Sequence, residues 1–372
     1  MQYQHSGPSG TRLLIGLMSG TSLDGIDGVL TDLTGRRPVV LARHNIEFGP
    51  ALRSALLGLH HAGENELDRA SRLGNRLADL YADCVQGLLK QTNYYASDIK
   101  AIGCHGQTIR HVPQAGYTIQ LNNPARLAER TGITVVSDFR SRDIAAGGQG
   151  APLVPAFHEA TFGTPDDARC VVNIGGIANL TRLDPLRPVC GFDTGPGNML
   201  MDAWTLAHLG QPYDYNGKWA ASGTVIDSLL NYWLSDPYFS EPPPKSTGRD
   251  LFNHDWLAAA LRPEHHSADV QATLLALTAH SIANDVRHHA PASTAVYLCG
   301  GGAFNPTLVK AIANLLPGMD VMSTDALGVP AMDVEALAFA WLAARCLDGL
   351  PGNLPSVTGA SGSRILGAIY PA

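Results

Sequence analysis

The chain has 372 residues, 45% of them apolar and 16% charged. That is enough for two or three domains or one bilobal unit with a real core, and it excludes wholesale disorder. A formal charge of −7 with no basic stripe argues against a nucleic-acid binder. No segment approaches the roughly 20 apolar residues of a membrane helix, and the apolar stretch Leu13–Met18 follows no basic region. Neither a membrane span nor a secretory leader is therefore expected. The cysteines (Cys84, Cys104, Cys170, Cys190, Cys299, Cys346) are scattered, with no C-x-x-C pair. This pattern points to buried thiols in a reducing cytoplasm rather than to a zinc site or a disulfide framework.

Arg12–Met18 and Gly25–Asp32 are expected strands around the turn Ser19-Gly20-Thr21-Ser22. Leu67–Leu89 is the strongest helix, with apolar residues at Leu73, Leu77, Leu80, Tyr81, Cys84 and Leu88. Ile99–Gly103 reads as a short strand leading into Cys104-His105-Gly106-Gln107-Thr108. Tyr117–Leu121 is another, and Asn123-Pro124 opens a helix to Arg130. The strand Ile133–Val136 runs into the glycine-rich stretch Ser137–Gly150, expected to be a loop near the junction of two lobes. The pattern then restarts. Cys170–Ile174 and Ile177–Leu183 are strands around Gly175-Gly176, and Val189–Phe192 is a third, ending at Asp193. Helices are expected at Asn198–Leu209, Thr224–Leu234, Leu274–Val286, Asn305–Leu315 and Met332–Cys346, and strands at Thr294–Leu298 and Met319–Met322. Tyr238–Arg249 is a proline-rich loop. Both halves open with strand, glycine turn, strand, which suggests two related α/β lobes.

The turns carry the chemistry. Gly16–Asp27 and Val172–Thr181 each set small or polar residues between two strands. There the backbone can approach a phosphate and turn N–H groups can form an anion-binding concavity. Asp24 has the chemistry to hold Mg²⁺ through water. An ordinary hairpin turn is the competing reading for either segment alone. Neither is a Walker A loop, and no G-x-G-x-x-G opens a helix, which disfavours a dinucleotide site. A third cluster, Leu298–Pro306 with Gly300, Gly301 and Gly302, could lie flat against a ligand or simply tighten a strand-to-helix connection. In Gly191–Asp202, Asp193 ends an apolar strand before a rigid Gly-Pro-Gly turn. That is the placement of a general base, or of a turn aspartate.

Together these segments resemble the superfamily of sugar kinases, actin and heat-shock chaperone ATPases. More narrowly, the chain resembles the anhydro-N-acetylmuramic acid kinase family of bacterial cell-wall recycling. The likeness runs from about residue 12 to 371. It rests on Gly16–Asp27, Gly103–His111, Val136–Arg140, Val172–Thr181, Gly191–Asn198, Cys299–Asn305, Met332–Ala336 and the tail Thr358–Gly367.

The resemblance implies an actin-like ATPase fold of two ribonuclease H-like α/β lobes, with the active site in the cleft between them. Residues 12–140 plus about 352–372 would form the N-terminal lobe and 141–351 the C-terminal lobe. It implies ATP and Mg²⁺, and a reaction in which water opens a 1,6-anhydro ring while O6 is phosphorylated. Asp193 would be the base, and Glu335 would help position the water. Gly20, Thr21, Ser22, Leu23, Asp24, Gly25, Ile26 and Asp27 would meet the ATP phosphates. So would Asn173, Gly175 and Gly176, while Gly300, Gly301, Gly302 and Asn305 complete the nucleotide site. Asp24 would carry the metal. His105, Gln107 and Arg140 would bind the amino sugar, Arg140 gripping its carboxylate. The resemblance also implies a homodimer; the cytoplasm and the lack of a nucleic-acid or membrane partner are expected from the cysteines, the charge and the lack of an apolar span. A conventional small-molecule kinase, which excludes water, is the alternative. A partner-driven ATPase module is the other, marked by ATP turnover without sugar.

Overall fold

A computed structural model describes residues 11–249 and 251–372. The residues before the start of the resemblance at about residue 12 lie outside the described residues, save Thr11. Strands β1 (Leu13–Ser19), β2 (Gly25–Asp32) and β3 (Val39–Glu47) form successive hairpins. Helices α1 (Pro50–Leu57) and α2 (Glu66–Lys90) follow, then β4 (Ile99–Val112), β5 (Tyr117–Leu121), α3 (Pro124–Thr131) and β6 (Val135–Ser137). Next come α4 (Ser141–Ala145) and α5 (Val154–Phe162).

The second run opens with β7 (Arg169–Ile174), β8 (Ile177–Leu183) and β9 (Cys190–Pro196). It continues with α6 (Met199–Leu209), α7 (Lys218–Ser222), α8 (Asp227–Leu234), α9 (His254–Ala258) and α10 (Ser267–His289). Strand β10 (Ala295–Cys299), α11 (Pro306–Leu315) and β11 (Asp320–Ser323) complete it. The chain closes with α12 (Val334–Leu347), α13 (Pro355–Thr358) and β12 (Ala368–Tyr370).

Two compact units result. The first runs to Thr161 and resumes at Asp333, and the second is Phe162–Met332. The first sheet has the order β12-β6-β4-β1-β2-β3, with β5 paired to β4; the second is β11-β10-β7-β8-β9. In the first, β1–β2 and β2–β3 are antiparallel, and β1–β4 and β4–β6 are parallel. In the second, β7–β8 and β8–β9 are antiparallel, and β7–β10 and β10–β11 are parallel. Setting β12 and β5 aside, order and direction match strand for strand. This is the duplication suggested by the repeated strand–turn–strand pattern, and it is the ribonuclease H-like arrangement.

The boundaries differ from the expected 140/141 and 351/352. Helix α12 packs on β1 and β4, so it belongs to the first unit, not the second. The packing is unusually close. A Cβ at Gly16 would sit on the carbonyl of Ala336, and one at Gly103 on that of Phe339. With α12 so near, all seven residues of β1 are buried, as befits a central strand covered on its faces. We predict that Gly103→Ala lowers stability by about 1–3 kcal/mol through overpacking. An unchanged unfolding midpoint in calorimetry would refute that close approach.

Local differences have physical causes. β4 does not stop at Gly103: it pairs with β1 as far as Gln107 and with β5 from Gln107 to Val112. The expected loop Ser137–Gly150 contains α4. β9 runs through Asp193 to Pro196. The unforeseen β3 is an edge strand with mostly exposed positions, so it carried little apolar signal. All six cysteines are free, and five are buried. No described helix is long and apolar enough to cross a membrane.

Candidate active site

The β1–β2 turn divides into a wet half and a buried half. Thr21 and Asp24 are exposed, and Gly20 and Ser22 partly so, whereas Leu23 and Ile26 are core residues. Leu23 sits in the left-handed region (φ 61°) and donates its N–H to the Gly20 carbonyl at 3.2 Å. Such a leucine is strained, and burial of its side chain offsets the cost. Gly25 and Ile26 can therefore meet a phosphate only through backbone, and the Leu23 N–H is already committed to the turn. The Asp24 side chain, 69% exposed, accepts from Arg53 at 2.7 Å, and Arg53 also donates to the Leu23 carbonyl at 3.1 Å. Asp27 accepts from Asn45 at 2.9 Å. Burial raises its pKa above the usual carboxylate value; the bond from Asn45 pulls the other way, and nearby Asp24 adds to the rise. The described residues contain no cluster of three or more metal-binding side chains. One exposed carboxylate suits Mg²⁺, which keeps several waters and takes its other ligands from phosphate.

His105 and Gln107 lie within β4, not at a strand end, and both are buried. Gln107 donates Nε2 to the Gly20 carbonyl at 3.0 Å, bracing the turn. Its Oε1 is buried without a hydrogen-bond partner among the described residues. His105 Nε2 accepts from Arg140 Nε at 3.0 Å, and its ring lies 4.6 Å from that of Phe339. Burial, reinforced by the Arg140 charge, holds the His105 pKa well below its usual value, so the imidazole is neutral and orients Arg140.

Arg140 also donates to the Gly150 carbonyl at 2.7 Å. The Arg140–Gly150 segment is fastened by buried Asp143, which accepts from Gly150 N–H (2.8 Å), Asn353 (2.6 Å) and Thr358 (2.8 Å). The tail motif Thr358–Gly367 thus supports the arginine from a distance in sequence.

A second neutral histidine, His158 in α5, is fully buried, and burial lowers its pKa to about 3. Below pH 6.5 the unfolded chain binds a proton that the folded one refuses. The stability contributed by a neutral His158 is therefore complete above pH 6.5 and is lost as pH falls toward 3, by roughly 2 kcal/mol at pH 5. We predict a flatter fall in unfolding midpoint between pH 7 and 5 for His158→Gln. Parallel curves for variant and parent would refute this.

In the second unit three glycine segments converge. Gly197 and Met199 donate N–H to the Gly176 carbonyl (2.9 and 3.1 Å), and Asn198 donates to Gly175 (2.8 Å). The Asn198 side chain donates to Ile174 O at 3.2 Å. Gly300, with φ +77°, lies where a Cβ would strike Asn173 Oδ1. Only glycine combines that backbone with that approach. Asn305 caps α11, accepting the Leu308 N–H at 3.1 Å, so its demonstrated job is structural.

Asp193 pairs with Asn179 across β8–β9. A bulge follows: Gly195 pairs with Ala178, leaving Thr194 extra, and its hydroxyl donates to the Ala178 carbonyl at 3.2 Å. Bulges re-aim side chains. Asp193 Oδ2 accepts from Thr247 N–H at 3.0 Å, so a fixed carboxylate stands in mid-strand. Glu335 is half-buried in the first turn of α12, the helix carried against β1 by Gly16. Sequence reasoning missed Arg53, Asp143, Tyr238, Lys245 and Thr247. A lone lysine among prolines was the available signal for the last group.

Twin sheets, each opening with a glycine turn between antiparallel strands, give the two-sheet α/β fold expected of the actin-like class. The family model described as anhydro-N-acetylmuramic acid kinase matches residues 12–372. The chain is 58% identical over 360 residues to the anhydro-N-acetylmuramic acid kinase of Nitrosomonas europaea, covering 96% of this chain and 99% of that one. It is 57% identical over 366 residues to that of Bordetella pertussis, covering 97% and 96%. A solved ROK family glucokinase from Streptomyces griseus aligns with a TM-score of 0.41 at 14% identity, covering 89% of this chain and 98% of that one. The chain belongs to the anhydro-N-acetylmuramic acid kinase family and is an enzyme.

Proposed function

We propose that this enzyme uses ATP to convert 1,6-anhydro-N-acetylmuramic acid to N-acetylmuramic acid 6-phosphate, opening the ring with water and phosphorylating O6 in one coupled event. The observation that carries the reading is Asp193, a carboxylate held by a backbone N–H on the strand paired with β8, whose turn is Gly175-Gly176. Asp193 takes a proton from water as the water oxygen bonds to C1. The C1–O6 bond breaks, and O6, now carrying the electron pair, attacks the γ-phosphorus; ADP leaves. Glu335 helps position the water. The turns at Gly20–Asp27, Asn173–Gly176 and Gly300–Gly302 supply positioning and charge neutralisation, which phosphoryl transfer chiefly needs, through backbone N–H groups other than those of Leu23, Gly175 and Gly300, which are bonded within the protein. Mg²⁺, where bound, neutralises phosphate charge, and Asp24 is the residue that would hold it.

On the sugar side, Arg140 is proposed to grip the lactyl carboxylate. His105 orients Arg140, and the unpartnered Gln107 Oε1 offers an acceptor to a sugar N–H or O–H. The low charged fraction, 16%, accords with a homodimer, and the free cysteines with a reducing cytoplasm. Turnover in ¹⁸O-water tests the chemistry. Label is expected on the anomeric oxygen of product analysed early, beside unlabelled product incubated in the same water, with none on the phosphate or O6. Label in inorganic phosphate without opened sugar would mean a plain ATPase.

A further inference from the structure

We propose that the segment Tyr238–Thr247 is a clamp on Asp193 and that Lys245 is the positioning residue anchoring it. The proposal rests on reading Asp193 as the base.

β9 is an edge strand, so its outer backbone groups need partners from elsewhere. The clamp supplies them at the proposed base. Asp193 donates its N–H to the Lys245 carbonyl at 3.2 Å, Thr247 N–H donates to Asp193 Oδ2 at 3.0 Å, and the Tyr238 hydroxyl donates to the Asp193 carbonyl at 2.7 Å. One segment therefore grips both the main chain and the carboxylate of one residue. Pro242, Pro243 and Pro244, just before Lys245, stiffen it.

Lys245 gives the clamp its foothold. Its side chain is 2% exposed, an expensive place for an ammonium unless it is paired. Nζ donates to the Tyr238 carbonyl at 3.3 Å and lies 3.6 Å from Asp285 Oδ2 on α10. It also stands over the rings of Tyr238 (4.8 Å) and Phe192 (5.6 Å). The lysine thereby ties both ends of the segment to α10 and to the residue preceding Asp193. The surrounding titratable groups are Asp285, His289 (3.8 Å from Asp285), His288, Arg182, Cys190 and Glu241. Burial raises Asp285 to about 6 and the lysine charge opposes that rise; the two side chains, 2% and 10% exposed, face each other at 3.6 Å. Burying an ion pair far from any reaction seldom improves stability over apolar packing. A pair that fixes a reacting carboxylate has a reason to be there.

A hydrogen bond to a carboxylate favours its charged form. Releasing the clamp should therefore make Asp193 easier to protonate, moving the acidic limb of kcat/KM to higher pH. The test is the pH profile of the full chain with ATP and anhydro sugar, normalised to the folded fraction. Lys245→Met is expected to move that limb up by about one pH unit and to lower kcat at least tenfold, with KM for ATP unchanged. Tyr238→Phe, which keeps the ring and the lysine, should lower kcat several-fold and shift the limb in the same direction. It decides the matter alone if Lys245→Met does not fold. Unmoved limbs in the folded variants would overturn the clamp, whatever their stability. Asp193→Asn run alongside separates the two readings: if it stays active the base assignment falls, and if it is dead while the clamp variants are normal, only the clamp falls.

Discussion

Asp193→Asn is expected to abolish ring opening and phosphorylation together. Asparagine keeps the size of the side chain and, through its amide oxygen, can still accept the Thr247 N–H, but it cannot take a proton from water. Loss of a positioned general base typically costs roughly 10²–10⁴-fold. Here O6 becomes nucleophilic only as the C1–O6 bond breaks, so phosphorylation has no independent route. ATP binding should survive, because the phosphate contacts are assigned to the glycine turns. Rapid-quench product analysis with calorimetric titration of ATP makes the comparison. Phosphorylated sugar from the asparagine variant at near-normal rate would make Asp193 a structural strand residue, fixed by its bonds to Thr247, Lys245 and Tyr238 for structure alone.

Arg140→Ala should weaken sugar binding far more than ATP binding. The guanidinium is held by His105 Nε2 and the Gly150 carbonyl, so its orientation is settled before any ligand arrives. Losing one partner of a desolvated charge pair costs roughly 2–5 kcal/mol. Arg140→Lys should recover only part of this, since an ammonium cannot reproduce the planar fork. Calorimetric titration of each ligand decides. Equal losses for sugar and ATP would remove Arg140 from the sugar site.

Much of the fold was legible because its signals are local. β2, β5 and β8 fall on their expected bounds, and α2 within a residue of its own, since alternation, helical periodicity and glycine turns are written in adjacent residues. Where β4 ends was not legible. Its second half pairs with β5, and Gly106 and Gln107 have no strand signature by themselves. Helix α12 was found, but not its unit, because the closeness of Gly16 and Gly103 to its backbone is a contact across more than 200 residues.

The site divides along the same line. Sequence by itself determined which residue types stand at the turns, that the strand–turn–strand opening occurs twice, and which family the motifs resemble. Only the tertiary structure decided what the polar groups do for one another. His105 accepts from Arg140 instead of standing alone, Gln107 braces the Gly20 carbonyl, Asn305 caps a helix, and Asp143 ties the tail to the arginine segment. Lys245, lost among prolines in the sequence, lies buried beside Phe192 and Asp285, and its carbonyl accepts the Asp193 N–H. The reason is physical. Propensity and spacing act between neighbours along the chain, whereas burial, charge pairing and hydrogen-bond satisfaction are set by whichever groups folding brings within about 3 Å.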